Sequence, residues 1–386
     1  MTILELKNSM FAQFCSERKA FFLPLIAVSL SITACGSQTA QAPPPAAATS
    51  SAIASPAASV SPAVKVAQGG GNVSLIGAGA TFPAPLYQRW FSEYNKLHPN
   101  VQVSYQPVGS GAGVQQFTQG TVDFGASDVA MTDAELAKVQ KGVVLLPMTA
   151  GGIVLAYNLP NVKSGLKLSR EVYPAIFLGQ IKTWNDPKIA QANPGVTLPN
   201  LPISVVHRSD GSGTTSVFTT HLSAVSPSWK SQVGAGKTVS WPAGVGAKGN
   251  DGVTAQIQQT QGSIGYVEYG YAKQNNLPMA TIQNKSGKYV EATPQSSAST
   301  LAAVTLPANL RAFITDPSGA NSYPIVTYTW LLAYKTYPDA NKAKTIKDVV
   351  NYGLTQGQQY SQELGYIPLP SNVVEKVKAA ANTIQP

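Results

Sequence analysis

Cysteine is almost missing: the 386-residue chain contains two, Cys15 and Cys35, both near the amino terminus. Beyond them no disulfide, cysteinyl zinc site or thiol nucleophile can form. Histidine is as scarce. The three present, His98, His207 and His221, fit no metal-ligand spacing, so neither a metal nor a cofactor is expected. His98 precedes Pro99 at an expected helix end, and His207 points away from its neighbour Arg208 on a strand, which gives both structural roles. Charged residues make up only 12%, and the net charge of +9 comes from singly scattered Lys and Arg. Without a basic run, the chain is not expected to bind nucleic acid. The usual nucleotide signatures are also missing. Gly77-Ala78-Gly79 is followed by Phe82 where a dinucleotide loop needs a third glycine, and no Walker A lysine follows any glycine loop. Gly211-Ser212-Gly213 lacks the outer spacing of a nucleophile elbow.

The amino terminus carries its own message. Arg18 and Lys19 precede an uncharged apolar run from Ala20 to Ala34, too short to span a bilayer comfortably. A basic flank, a short apolar core and small residues describe a secretory signal over 1–34. Ile32-Thr33-Ala34-Cys35-Gly36 resembles a bacterial lipobox, which implies cleavage before Cys35 and lipidation of its sulfur. An ordinary signal peptide beside an incidental cysteine is the alternative. The following stretch to about Gly71 is Ala, Pro, Ser, Thr and Gln with Lys65 the only charge, so 35–71 is read as a lipidated cysteine plus a disordered spacer. No later segment reads as a membrane helix.

From Asn72 onward, short apolar strands alternate with glycine-containing loops and helical patterns, which predicts an α/β fold with a largely parallel sheet. Strands are expected at Val73–Ile76, 101–105, 121–126, 143–147, 152–157, 203–206, 262–267 and 325–332. A helix should open near Pro83 with Leu86, Trp90, Tyr94 and Leu97 on its packed face. Thr132-Asp133-Ala134-Glu135 reads as a capping box, and the last helix should begin near Ser371. In such folds ligands belong at the carboxyl ends of strands.

The densest chemistry lies in Arg208-Ser209-Asp210-Gly211-Ser212-Gly213-Thr214. Arg208 can fork two N–H donors onto an oxyanion. Ser212 and Thr214 add hydroxyls where a helix opens and its N–H groups face outward. Two further hydroxyl-plus-glycine loops, at Gly79-Ala80-Thr81-Phe82 and Gly109-Ser110-Gly111, also lead into helical patterns. Each alone reads as ordinary capping; three together suggest a cage for a small tetrahedral anion. Asp210 is an awkward negative charge within it. Asp128, at the end of the 121–126 strand, either caps the next turn or accepts the O–H of a protonated anion. In the second role it would repel sulfate, which carries no proton at neutral pH.

These segments, with Val122-Asp123-Phe124-Gly125-Ala126-Ser127-Asp128, Lys248-Gly249-Asn250-Asp251-Gly252-Val253 and Gly262-Ser263-Ile264-Gly265-Tyr266-Val267-Glu268-Tyr269, resemble the periplasmic phosphate-binding proteins of bacterial high-affinity phosphate import. The likeness runs in family order from about Ser74 to Ala380. It implies a two-lobed periplasmic binding protein fold of type 2, with two hinge crossings and the ligand in the interlobe cleft. Lobe I would be 72–152 with 324–386, and lobe II 153–323. The resemblance implies that Thr81, Phe82, Ser110, Asp128, Arg208, Ser212, Gly213 and Thr214 bind phosphate, and that Asp210 orients Arg208. It also implies a monomer, tethered outside the cytoplasmic membrane through Cys35, that hands inorganic phosphate to a membrane ABC permease and ATPase complex without covalent chemistry. One departure is visible: Ser110 is followed by Gly111-Ala112-Gly113 where many relatives carry tandem serines. The rival readings are a binding protein for another oxyanion, such as sulfate or molybdate, and a secreted phosphoester hydrolase using Ser212.

Overall fold

The computed structural model describes residues 72–386; the expected signal, Cys35 and spacer lie outside the described residues. Eleven strands form: β1 (Val73–Gly79), β2 (Val101–Gln106), β3 (Phe124–Ser127), β4 (Val143–Tyr157), β5 (Lys167–Leu168), β6 (Ser204–Arg208), β7 (Val245–Ala247), β8 (Ser263–Glu268), β9 (Thr281–Gln283), β10 (Tyr289–Val290) and β11 (Val326–Tyr334). Eight of them make one sheet in the order β2-β1-β3-β11-β4-β8-β6-β7, and β10-β9-β5 form a small separate sheet.

The long sheet is two sheets joined by one strand. Residues 143–152 of β4 pair antiparallel with β11, whereas 153–157 pair antiparallel with β8. β4 therefore passes from one half of the molecule to the other, and β11 returns the chain to the first half. Two strands expected at 143–147 and 152–157 are thus a single strand. Its glycines explain the misreading. A Cβ on Gly151 would lie 2.8 Å from the Phe82 ring, and one on Gly152 would lie 3.1 Å from Ser297 Oγ, so the apolar pattern breaks where neighbours press on the backbone. β1 with β2 and β3, and β6 with β7 and β8, are parallel, as the strand–loop–helix rhythm predicts. The crossing strands are antiparallel, so the sheet is mixed rather than largely parallel.

β4 also carries Pro147, which has no N–H to give a ladder. The β4–β11 register slips there: Thr329 faces Thr149, but Trp330 faces Pro147, leaving Met148 as the extra residue of a bulge. Helix Ala84–Leu97 buries Leu86, Trp90 and Tyr94 as expected. Leu97, in its last turn, is 58% exposed. The helix ends at His98, whose N–H bonds Tyr94 O and whose ring packs on Tyr94. Thr132 and Glu135 do form a capping box, on the short helix Asp133–Leu136, and the last helix is Ser371–Ala381.

Candidate functional site

The candidate ligand residues sit at a strand's carboxyl end or in the loop and helix start that follow it. β1 runs into Ala80-Thr81-Phe82 and helix Ala84–Leu97. β2 leads to Gly109 and helix Ser110–Gln119, β3 ends immediately before Asp128, and β6 ends on Arg208 before helix Gly213–Val225. These ends converge. Asp128 donates its N–H to Ser110 Oγ at 3.3 Å, and its Oδ2 accepts from Thr214 Oγ1 at 3.3 Å. Thr214 Oγ1 also lies 3.5 Å from Arg208 Nη1 and from Asn250 Nδ2. Thr81, Phe82, Ser110, Asp128, Arg208, Ser212 and Thr214 are all buried.

Arg208 and Asp210 form a bidentate pair: Nε donates to Oδ1 at 2.7 Å and Nη2 to Oδ2 at 2.5 Å. This fixes the plane of the guanidinium and leaves Nη1 free to turn toward Thr214. Asp210 has a second anchor, the Gly249 N–H at 3.0 Å, which opens helix Gly249–Gln259. Together these hold its carboxyl below the usual carboxylate range despite partial burial. Asp128 goes the other way. Burial pushes its carboxyl up to about 7, against the opposing pull of Thr329, Arg208 and Thr214. One acid is locked ionised on the arginine; the other is poised near neutrality beside open donors.

The donors come from helix starts. Among the described residues, the N–H groups of Phe82, Ser110 and Gly213 meet no backbone or side-chain acceptor. Each lies in the first turn of a helix or the loop leading into it, where N–H groups carry partial positive charge. Ser212 differs: its N–H is spent on Lys237 O at 2.8 Å, and its Oγ caps the helix by accepting from Thr215 N–H at 3.0 Å. Only its hydroxyl proton remains for a ligand. This capping use sits poorly with a nucleophile awaiting a base.

Hydroxyl polarity is set as well. Thr81 Oγ1 accepts from both the N–H of Asn250 (3.1 Å) and its Nδ2 (2.8 Å), so the threonine keeps its own proton to donate. The carbonyls of the same loop are tied off one by one by tyrosine hydroxyls. Tyr105 donates to Ala80 O, Tyr271 to Thr81 O and Tyr366 to Phe82 O, at 2.6–2.7 Å. A loop whose acceptors are all engaged offers an anion only donors. Phe82 itself packs in the core, its ring near Tyr366 and Gly151, so it has only its backbone N–H to offer.

Gly111 and Gly113 account for the departure in the second loop. Gly111 donates its N–H to Gly211 O at 2.7 Å across the cleft, and a Cβ on Gly113 would lie 2.3 Å from Gly79 Cα. At position 111 itself a Cβ would lie 3.1 Å from Gly211 Cα, so a second serine would press on the facing loop. Asn250, Thr329, Tyr266, Glu268 and the tyrosines were not picked out from the sequence as site residues, although three of these lie in segments that carried the family likeness. Tyr266 accepts the Arg208 N–H at 3.1 Å and bonds Thr215 Oγ1 at 2.6 Å, steadying the arginine's backbone. His207 stacks on Trp241 and plays no part in the cluster.

A PBP superfamily domain model matches residues 43–356. The phosphate-binding protein PstS of Pasteurella multocida is 44% identical over 313 residues, which cover 80% of this chain and 90% of that protein. The phosphate-binding protein PstS of Methanocaldococcus jannaschii is 39% identical over 331 residues, covering 80% and 85%. Among solved structures, a high-affinity periplasmic phosphate-binding protein bound with phosphate (PfluDING) superposes with a TM-score of 0.66 at 21% identity, covering 80% of this chain and 93% of that one. A phosphate-binding protein from Stenotrophomonas maltophilia gives 0.63 at 20%, with the same coverage. At those identities the structures bear on fold alone, whereas the sequence relatives reach across most of both chains: the chain belongs to the PBP superfamily and, within it, to the PstS phosphate-binding proteins.

Proposed function

We propose that this chain is an extracytoplasmic phosphate-binding protein that captures inorganic phosphate between two lobes and releases it to an ABC permease for import. The carrying observation is the pairing of opposites at one buried point: Asp128, acceptor-only when ionised, faces Arg208 and helix-start N–H groups. Phosphate at neutral pH has both unprotonated oxygens for the donors and an O–H for Asp128. Sulfate has no proton to give, and an acceptor would face an acceptor in a dry site. Thr81, Phe82, Ser110, Arg208, Ser212, Gly213 and Thr214 supply the donors, and no bond is made or broken. Lobe I comprises 72–152 and 324–386 and lobe II 153–323, a division supported by the change of partner along β4 between Gly152 and Ile153. Hinge closure about the two crossings is the signal for the permease–ATPase complex.

Calorimetric titration tests this directly. Phosphate should bind with micromolar or better affinity, about −8 kcal/mol, and sulfate at least 10³-fold more weakly. Comparable binding of both would sink the phosphate assignment in favour of a general oxyanion binder.

No helix among the described residues is long and apolar enough to cross a membrane. We place the protein, a monomer, on the outer face of the cytoplasmic membrane, held by a lipid on Cys35. The protein should fractionate with membranes, and Cys35→Ser should release it into the soluble fraction. Membrane retention by the Ser variant would refute the anchor.

A further inference from the structure

Asp128 is gripped from behind by β11, whose Thr329 lies 201 positions further along the chain. β11 runs antiparallel to β3, with Trp330 opposite Ser127, so Thr329 comes level with Asp128. Thr329 Oγ1 donates to Asp128 Oδ1 at 2.9 Å, and two residues back, on the same face, Thr327 Oγ1 donates to the Asp128 backbone carbonyl at 3.0 Å. Both threonines are buried, and the β4–β11 bulge falls between Thr329 and Trp330. Bulges re-aim side chains next to functional sites.

We propose that Thr329, with Thr327 beside it, is the positioning pair that sets anion specificity: it engages Oδ1 of Asp128 and so leaves Oδ2 as the oxygen that interrogates the ligand for a proton. The proposal rests on the phosphate reading for its ligand, but the grip on Asp128 stands without it. A hydroxyl cannot stabilise a carboxylate it has been removed from, so losing Thr329 raises the proton affinity of Asp128. A neutral Asp128 becomes a donor, and a donor welcomes sulfate. Thr329 therefore guards selectivity more than affinity.

The groups facing Asp128 leave this signal readable. Arg208 on β6 is paired with Asp210, whose carboxyl is held below the usual carboxylate range. Burial pushes the Glu268 carboxyl on β8 well above its usual range. Tyr87 from helix Ala84–Leu97, Tyr105 from β2, Tyr271 from helix Tyr269–Gln274 and Tyr366 before the last helix are all pushed further into their neutral form. Asp128, which burial pushes up to about 7, lies in the middle of the range from about pH 5.5 to 8.5.

The test compares wild type with Thr329→Val, which is isosteric, and Thr329→Ser, which restores the hydroxyl. Phosphate and sulfate affinities are measured across that pH range. In Thr329→Val the phosphate-to-sulfate ratio should fall about tenfold near neutrality, and the pH at which discrimination sets in should rise by roughly one unit. Thr329→Ser should return both toward wild type. In an Asp128→Asn background the Val substitution should change the ratio no further, because the oxygen it acts through is gone. An unchanged ratio and midpoint in Thr329→Val, or an equal fall in the Asp128→Asn background, overturns the proposal. If the Val variant does not fold, Thr329→Ala replaces it under the same criteria. A second readout is the infrared carboxyl band of ligand-free protein, identified by its loss in Asp128→Asn. It should titrate at higher pH in the variant, and an unmoved band also overturns the proposal. Should wild type fail to prefer phosphate, the band still judges the grip while the functional reading falls separately.

Discussion

Arg208→Ala should lower phosphate affinity by about 10²–10³-fold or more, the range expected when one member of a buried, hydrogen-bonded charge pair is truncated. The arginine side chain is 1% exposed and its bidentate partner Asp210 is 11% exposed. Alanine removes the guanidinium from the cluster and leaves Asp210 held by backbone N–H groups such as that of Gly249. The carboxyls of Asp128 and Asp210 then remain without the guanidinium that faces them, the wrong sign for an anion. Some folding stability should go too, because an orphaned carboxylate is costly. The remaining amide and partial exposure of Asp210 keep that cost below the loss of binding. Arg208→Lys separates charge from geometry: it keeps the cation but not the planar fork, so recovery should be partial. Titration calorimetry with a urea melt of each variant checks both statements. Wild-type phosphate affinity in Arg208→Ala would remove the arginine from the mechanism.

Much of this was legible in the sequence because it is local. Arg208 and Asp210 are two residues apart, and the glycine-hydroxyl loops announce themselves by composition just before helical patterns. The parallel βα units of each half follow for the same reason. What the sequence could not show was which distant groups complete the cluster. Thr329 reaches Asp128 across 201 positions and Asn250 reaches Thr81 across 169. Within its own segment Thr329 reads only as one more β-branched residue in a strongly β-forming run. Nothing in their local sequence sets apart the tyrosines that cap the Ala80, Thr81 and Phe82 carbonyls. Tyr105 reaches Ala80 from the neighbouring strand β2, but the hydroxyls of Tyr271 and Tyr366 meet this loop only when the second half of the chain folds back on the first. The bend in reading at β4 has a similar cause: Gly151 and Gly152 answer to Phe82 and Ser297, neighbours that no window around residue 150 contains.

Gly213→Ala should abolish tight binding while leaving the ligand-free protein as stable as wild type. Gly213 is the first residue of helix Gly213–Val225, and it faces the other half of the molecule. A Cβ there would lie 2.5 Å from Ser110 Oγ, 2.8 Å from Asp128 Cβ and 2.9 Å from the Asp128 backbone N. The serine hydroxyl can swing aside. The Asp128 backbone, tied to Thr327 on β11, cannot. The helix itself has no objection to alanine, the best helix former. The clash therefore exists only when the two halves come together, and relief requires holding them apart by half an ångström or more. Donors aimed from both sides of a small anion tolerate little of that, so affinity should fall at least about 10²-fold. Phosphate should raise the melting temperature of wild type, by linkage, and have little effect on the variant. Small-angle scattering should show the variant remaining open at phosphate concentrations that close wild type. Full binding by Gly213→Ala would mean that the contact between Gly213 and Asp128 is not part of the closed state. An equal loss of ligand-free stability would instead assign the glycine to folding.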